Sequence, residues 1–253
     1  MKDTFIYSET MVRFYDIIYD HILEKQSRDY YLERIAECGG PVLEIGTGTG
    51  RIFLRALSGG ADIYGIDIST NMLNNLKSKM PENQHYRLHY QDVRNFKLDK
   101  KFELIIAPFR MFSHLIAVDD QLDALNSIRE HLTDDGKFIF DVFVPKLELI
   151  SEGTREQLIY DVQYEPGKSL KRYDTVKPDY IHQIQHITFK FVWNDIDGQH
   201  EDSANFPFRY FFRYELEHLM TRAKLRIEQI FGDFYSHSLE EAKKEFVVTC
   251  RKN

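Results

Sequence analysis

A run of glycines early in the chain constrains the fold more than any other feature of the sequence. Eight of the 13 glycines lie within residues 39–65, and three of them alternate with other residues at Gly46, Gly48 and Gly50. The short apolar run at residues 42–45 precedes this loop, and a segment with helical periodicity follows it. Glycines between a buried strand and a helix let the backbone turn sharply and approach a ligand closely. The loop therefore predicts a nucleotide-binding βα unit.

Alternation of strands and helices over the first 150 residues predicts a parallel sheet built from βαβ units. Apolar runs predict strands at residues 42–45, 61–66, 85–89, 102–106 and 137–142. Helical periodicity predicts helices over residues 9–37, 51–57, 71–80 and 119–132. Ser69 or Thr70 stands where it can cap the helix over 71–80. This part of the chain is therefore expected to be an α/β domain.

The pattern changes after residue 150, where strand-like segments follow one another without room for helices. Predicted strands cover residues 157–163, 170–176, 181–193 and 206–212, and predicted turns cover 166–167, 177–179 and 195–198. Short connections of this kind favour antiparallel hairpins. A helix is predicted over 214–224, followed by strands at 225–230 and 245–250 that are close enough in sequence to pair antiparallel. We expect an α/β domain at 1–150 and 213–253 with an antiparallel β insert at 151–212.

Charge balance and residue content argue against several kinds of partner. The chain has 33 basic and 40 acidic residues, a net charge of −7, whereas proteins that bind phosphate backbones are normally basic. Two cysteines, Cys38 and Cys250, are too few for a disulfide framework or a cysteine zinc site, and His182 and His186 have no evident third metal ligand. No apolar stretch approaches the roughly 18 residues of a membrane span, and the N-terminus lacks an apolar signal core. We expect a cytoplasmic protein, monomeric or homodimeric, without metal, nucleic-acid or membrane partners.

A second acidic residue, Asp67, ends the next predicted strand and lies 21 residues after Gly46. This spacing is near the roughly 20 residues expected for a carboxylate that accepts ribose hydroxyls. The fingerprint of NAD-binding loops is G-x-G-x-x-G, but Arg51 stands where its third glycine would fall. The spacing therefore opposes an NAD-dependent oxidoreductase and leaves another nucleotide cofactor.

Four motifs together resemble the class I S-adenosylmethionine-dependent methyltransferases. E-x-G-x-G-x-G at residues 44–50 resembles their first motif, and D-I-S-x-x-M-L at residues 67–73 resembles their second. Q-D-V at residues 91–93 is similar to the adenine-binding acid and its neighbours, and P-F-R-M-F-S-H-L at residues 108–115 to the segment after strand four. The resemblance covers about residues 9–150 and 213–253. It implies a Rossmann-like seven-stranded α/β sheet with a reversed C-terminal hairpin.

The resemblance also implies S-adenosylmethionine as cofactor and a set of residues that hold it. The implied cofactor-binding residues are Tyr15, Tyr19, Tyr30, Glu44, Gly46, Thr47, Gly48, Asp67, Ile68, Met72, Gln91, Asp92, Val93 and Pro108. Asp67 would hold the ribose, and Asp92 would accept a hydrogen bond from the exocyclic amine of the adenine. Glu44 would either accept loop N–H groups or reach the amine of the cofactor.

The N-terminal segment carries a further resemblance. F-Y-D-I-I-Y-D at residues 14–20, followed by R-D-Y at residues 28–30, resembles the lid helices of small-molecule N-methyltransferases, including those that dimethylate aminosugars on nucleotide sugars. This implies that Tyr19 lies near the transferable methyl and Tyr30 near the cofactor carboxylate, although helix packing alone would also explain both. The insert at 151–212 would then cover the substrate.

His114 is the second candidate catalytic residue besides Tyr19. It follows the fourth predicted strand, at the carboxyl edge where ligands bind in open α/β sheets. An imidazole there can act as a general base near neutral pH, or it can pack against the next helix.

These observations predict methyl transfer to a small-molecule acceptor, most readily at an amine nitrogen. Transfer to a hydroxyl of a small molecule remains open at this point, and so does transfer to protein or RNA. A protein that binds S-adenosylmethionine without catalysis is a further alternative from a different functional class.

Overall fold

The computed structural model describes residues 7–22 and 25–253. Its helices are α1 (Glu9–Ile22), α2 (Lys25–Ala36), α3 (Phe53–Ser58), α4 (Thr70–Lys77), α5 (Val118–His131), α6 (Leu147–Ser151) and α7 (Arg213–Arg222). Its strands are β1 (Val42–Ile45), β2 (Ile63–Asp67), β3 (Leu88–Tyr90), β4 (Phe102–Ala107), β5 (Leu132–Phe143), β6 (Thr154–Glu165), β7 (Lys168–Asp179), β8 (Ile184–Asp195), β9 (Gly198–Arg209), β10 (Leu225–Phe231) and β11 (Glu245–Lys252).

The chain forms two compact units. The antiparallel unit consists of α1 and Pro145–Tyr210, and the α/β unit consists of the chain from α2 to Val144 together with Phe211–Asn253. This division differs from the sequence-based one at the N-terminal helix, which groups with the insert. None of the helices in the described residues has the length and apolar character of a membrane span.

The α/β unit is built on a seven-stranded sheet in the order β10-β11-β5-β4-β1-β2-β3. β11 runs antiparallel to both of its neighbours, whereas the pairs from β5 to β3 are parallel. The central strand β1 is buried at all four positions, as expected for a parallel strand covered by helices on both faces. The predicted Rossmann-like fold with a reversed C-terminal hairpin is therefore confirmed.

The antiparallel unit contains a four-stranded sheet in the order β6-β7-β8-β9. Two-residue connections at 166–167 and 196–197 join β6 to β7 and β8 to β9, within the turns predicted at 166–167 and 195–198. Apolar residues of α1 and of the sheet share one buried cluster: Met11, Phe14, Ile18, Tyr160, Leu170, Phe191, Ala204 and Phe206. The Tyr160 hydroxyl also donates to the backbone carbonyl of Ile17 at 3.0 Å. Helix and sheet therefore form one core.

Several predicted boundaries were wrong. The predicted turn at 177–179 lies inside β7. Proline has no backbone N–H to donate, but β6 pairs with β7 only as far as Val176, opposite Thr154. No hydrogen bond from Pro178 to β6 is therefore needed. The connection falls instead at residues 180–183 and includes His182. Of the predicted strand 206–212, residues 206–209 belong to β9, which begins at Gly198, and residues 210–212 follow the end of that strand. Residues 82–87, partly predicted as strand, form a 3₁₀ helix.

Candidate functional site

The carboxyl ends of β1, β2, β3 and β4 bring together the loops that carry the predicted motifs. Parallel strands end at the same edge of a sheet, so residues far apart in sequence meet there. The loop after β1 contains the alternating glycines, and Asp67 is the last residue of β2. Asp92 follows β3 closely, and Pro108 follows β4 directly. The α/β unit therefore assembles the predicted cofactor-binding residues from Glu44 onward along one edge.

The three alternating glycines all have positive φ, but each meets a different neighbour. A Cβ atom on Gly46 would lie 2.6 Å from Cγ of Met111, and one on Gly50 would lie 2.3 Å from Cδ1 of Leu76. At Gly48, with φ +56°, the nearest atom would be 3.9 Å away. Gly46 and Gly50 are thus required by packing inside the protein. Gly48 borders space in which a ligand can lie against the backbone.

Asp67 connects the glycine loop to the start of α4. Its Oδ2 accepts the N–H of Gly48 and its Oδ1 accepts the N–H of Ser69, each at 2.8 Å. Burial raises the pKa of Asp67, and the backbone N–H donors oppose that rise. Each carboxylate oxygen has capacity for a further donor, which suits a pair of ribose hydroxyls. Ser69 also caps α4, because its Oγ accepts the N–H of Met72 at 3.3 Å.

Glu44 is a buried acid beneath the glycine loop. Its side chain is 1 % exposed and accepts a hydrogen bond from Oγ1 of Thr47 at 3.2 Å. Burial raises the pKa of Glu44 to about 8, and the neighbouring Asp67 charge adds to the rise. The carboxyl group is therefore mostly protonated at pH 7. Such a group favours a cationic ligand, which would stabilise its ionised form.

The predicted adenine-binding acid already has a partner in the structure. Nε of Arg94 donates to both carboxylate oxygens of Asp92 at 2.9 Å. Burial alone would raise the pKa of Asp92, but the Arg94 hydrogen bonds outweigh it and the pKa lies below its ordinary value. Arg94 was not among the predicted site residues, although its position two residues after Asp92 was visible in the sequence. An adenine amine would have to share the carboxylate with it.

The neighbours of Asp92 have structural contacts of their own. The side-chain amide of Gln91 bridges to the backbone of Lys97, with both hydrogen bonds at 2.9 Å. Val93 packs against the main core of the α/β unit.

Two further predicted cofactor contacts lie after β2. Met72 is buried, and Ile68 is partly buried just before α4. Their contact with the cofactor stays a prediction.

His114 ends a 3₁₀ turn that covers Met111–His114 after β4. The residue as a whole is half-buried. Burial of its ring lowers the pKa of His114 to about 4, so that the imidazole is neutral at pH 7. A neutral imidazole can accept a proton, but one with a lowered pKa is a weaker base than an exposed histidine.

The two adjacent tyrosines of α2 have separate surroundings. The hydroxyl of Tyr30 interacts with Arg34 and Thr249. Its side chain lines a cavity of about 690 Å³ whose walls include Gly39 and Glu103, at the amino ends of β1 and β4. Tyr31, which was not predicted, donates its hydroxyl to Oδ1 of Asp141 at 2.6 Å, near the carboxyl end of β5. The predicted contact of Tyr30 with the cofactor carboxylate remains a prediction.

Tyr15 and Tyr19 lie on α1, in the antiparallel unit. Their rings are in contact, with centroids 4.4 Å apart. The Arg172 guanidinium lies 5.9 Å from the Tyr19 ring and 4.3 Å from the Phe189 ring, and it forms a two-point ion pair with Asp174 at 2.9 and 3.0 Å. This face of the sheet therefore combines aromatic rings with a charged pair. The catalytic roles of Tyr19 and His114 stay predictions.

Comparison with known proteins identifies a methyltransferase domain in the α/β unit. Residues 42–136 match a protein family described as a methyltransferase domain. The putative methyltransferase YqeM of Bacillus subtilis is 24% identical over 228 residues, covering 86% of this chain and 87% of that protein. The dTDP-3-amino-3,4,6-trideoxy-α-D-glucopyranose N,N-dimethyltransferase of Streptomyces venezuelae is 26% identical over 100 residues, covering 40% of this chain and 41% of that protein.

The fold likeness extends over both units. The crystal structure of the sugar N-methyltransferase KedS8 from a Streptoalloteichus species has a TM-score of 0.76 at 14% identity, and the match covers 100% of this chain and 98% of that chain. The sheet order and the glycine loop are thus those of the Rossmann-like methyltransferases. The match of residues 42–136 to a methyltransferase domain and the relatives named as methyltransferases support an S-adenosylmethionine-dependent methyltransferase.

Proposed function

We propose that this methyltransferase transfers a methyl group to the amine nitrogen of a small-molecule acceptor. The observation that carries the proposal is the antiparallel unit: a four-stranded sheet and α1 share one core, with Tyr19 and the Arg172–Asp174 pair on the same side. Support comes from the sequence similarity to an enzyme named as an aminosugar N,N-dimethyltransferase. It also comes from the fold likeness to a sugar N-methyltransferase over both units.

In this proposal the carboxyl edge of the sheet holds the cofactor. Asp67 binds the ribose hydroxyls with the lone pairs that Gly48 and Ser69 leave free, and the open side of Gly48 lets the ligand approach the backbone. Glu44 receives the ammonium group, and Asp92 shares its carboxylate between Arg94 and the adenine amine. Bound S-adenosylmethionine supplies an electrophilic methyl on a good leaving group. The remaining task of the protein is to orient the acceptor and exclude water.

The acceptor amine needs its lone pair for the attack. In the proposed reaction the nitrogen forms a bond to the methyl carbon while the carbon–sulfur bond breaks and its electrons stay on sulfur. The proton that the amine loses passes to the neutral imidazole of His114 and from there to solvent. Tyr19 would orient the nucleophile from α1.

The assignment of Glu44 to the ammonium group predicts a linked proton. Because Glu44 has a pKa of about 8 and is mostly protonated at pH 7, pairing with a cation lowers its pKa and releases close to one proton on binding. The release should vanish above pH 9, where the carboxylate is already ionised. Calorimetric titration with S-adenosylhomocysteine in two buffers of different ionisation enthalpy measures it. In Glu44→Gln the buffer dependence should disappear, and equal buffer dependence in the variant and wild type would contradict the assignment.

An acceptor assay tests the proposed function directly. Purified protein would be incubated with S-adenosylmethionine and dTDP-3-amino-3,4,6-trideoxy-α-D-glucopyranose, the compound named for the S. venezuelae relative, and with its 3-hydroxy counterpart as matched control. We expect mass spectrometry to show one or two added methyl groups on the amine compound or on other small amines in a screen. Methylation of the hydroxy counterpart alone, or of RNA or peptides but no small amine, would reject the proposal.

A further inference from the structure

Two consecutive residues that follow β4 and Pro108 have a backbone conformation that is costly for their residue types. Phe109 has φ +59° and Arg110 has φ +60°, in the left-handed region next to Pro108. Each such residue without glycine's freedom costs about 1–2 kcal/mol. A pair of them persists only where neighbouring groups hold the backbone in place. The segment therefore has to be stabilised by something outside its own sequence.

Asp141, near the carboxyl end of β5, provides that stabilisation. Its Oδ1 accepts the N–H of Phe109 at 2.9 Å, and its Oδ2 accepts the N–H of Arg110 at 2.9 Å. Oδ1 also accepts the hydroxyl of Tyr31 at 2.6 Å. Asp141 is 2 % exposed. One buried carboxylate thus holds both strained peptide groups, and Tyr31 in turn orients the carboxylate.

The side chains of the strained pair are held as well. The Arg110 guanidinium donates to the carboxylate of Glu245, a residue of β11 that is 8 % exposed. It also lies 5.5 Å from the Phe143 ring. The Phe109 ring packs against Tyr31 with centroids 6.5 Å apart. Contacts from β5, β11 and α2 therefore converge on this two-residue turn.

The turn sets the position of the residue that follows it. Met111 comes directly after Arg110, and its Cγ lies 2.6 Å from the position that a Cβ on Gly46 would take. The same segment then continues through the 3₁₀ turn to His114. Any relaxation of Phe109 and Arg110 toward ordinary backbone angles would move Met111 relative to the glycine loop. The turn at Phe109 and Arg110 thus connects the end of β4 to Met111, which packs against the glycine loop at Gly46.

We propose that Asp141 is a positioning residue of the cofactor site, which holds Phe109 and Arg110 in the left-handed conformation so that Met111 supports the glycine loop. The proposal rests on cofactor binding at that loop, as in the proposed function. Burial and the nearby Glu245 raise the pKa of Asp141 to about 7, while the hydrogen bonds from Tyr31 and from the backbone N–H of Arg110 oppose that rise.

The test uses S-adenosylhomocysteine binding and a glycine rescue. Asp141→Asn keeps the shape of the side chain but offers an N–H₂ where one of the two backbone donors needs an acceptor. We expect its dissociation constant for S-adenosylhomocysteine to rise about tenfold, as for the loss of one hydrogen bond. Adding Arg110→Gly should recover about threefold of this loss, because glycine adopts positive φ without strain. Arg110→Ala in the same background is the matched control and should recover nothing.

Thermal unfolding of each variant separates positioning from general stability. A structural role alone would lower the melting temperature while the affinity measured well below it stayed at the wild-type value, and that result would overturn the proposal. Equal recovery by Arg110→Gly and Arg110→Ala would overturn it too. If Asp141→Asn does not fold, Tyr31→Phe replaces it with the same rescue and the same criteria. Failure of the wild-type protein to bind S-adenosylhomocysteine would instead reject the cofactor site itself.

Discussion

Asp67→Ala will weaken the binding of S-adenosylhomocysteine by about 30- to 150-fold, or roughly 2–3 kcal/mol. Hydrogen bonds to a charged partner are the stronger ones, and the ribose would lose both of those expected from this carboxylate. The N–H groups of Gly48 and Ser69 lose their acceptor at the same time. The substitution therefore removes a ligand contact and loosens the loop beside it. Isothermal titration calorimetry measures the change.

Asp62→Ala is the matched control for this prediction. Asp62 is an acid that directly precedes the same strand, at its opposite end, where it pairs with Arg87 and Lys100 at the surface. Its removal should leave the affinity for S-adenosylhomocysteine within about twofold of wild type, since exposed ion pairs contribute little. Equal losses in the two variants would mean that Asp67 acts through stability alone. Binding of NAD in place of S-adenosylhomocysteine would contradict the assignment of the cofactor.

His114→Ala will lower kcat by about 100-fold while the affinity for S-adenosylhomocysteine stays near the wild-type value. General-base assistance contributes about 10²–10⁴-fold, and the lower end applies because burial lowers the pKa of His114 to about 4 and makes it a weak base. The measurement is steady-state methyl transfer to the amine found in the acceptor screen. Tyr19→Phe should have a smaller effect, because the ring still packs.

A second histidine shows what a structural role would look like. His131 stacks on Phe96 with centroids 4.2 Å apart, its Nε2 accepts the N–H of Leu98 at 3.0 Å, and its Nδ1 lies 2.7 Å from the carbonyl of Ser127. His131→Ala should lower the melting temperature and leave kcat unchanged at temperatures well below it. If His114→Ala behaved in that way, His114 would be a packing residue and the base would lie elsewhere.

The α/β unit was predictable because its signals are local. Each of its patterns occupies only a short stretch of sequence: the glycine loop, the apolar strands and the acid at the end of β2. The order of these patterns along the chain indicates the sheet. The strand boundaries after residue 150 were less predictable. Pro178 suggests a turn by its own chemistry, yet it lies in β7 because β6 ends before reaching it. Only the pairing of strands that are distant in sequence decides whether Pro178 lies in a turn or in a strand.

The candidate site was predictable where a motif carries it and not where packing does. Asp67 and Glu44 stand inside recognisable patterns. Asp141 has no local pattern, since its partners Phe109 and Tyr31 are 32 and 110 residues away. Tyr30 and Tyr31 are neighbours on one helix, and helical geometry points them in different directions. The sequence shows two tyrosines, whereas the tertiary contacts determine which hydroxyl reaches the carboxyl edge.

The core shared by α1 and the four-stranded sheet has a consequence for synthesis on the ribosome. α1 emerges first, but the sheet residues that cover its apolar side, from Tyr160 to Phe206, are made more than a hundred residues later. The α/β unit is likewise closed only by β10 and β11 at the far end of the chain. The apolar side chains of Phe14 and Ile18 thus stay uncovered until the sheet residues that bury them have been synthesised. Nascent-chain proteolysis should find α1 protected only after residue 210 has left the exit tunnel.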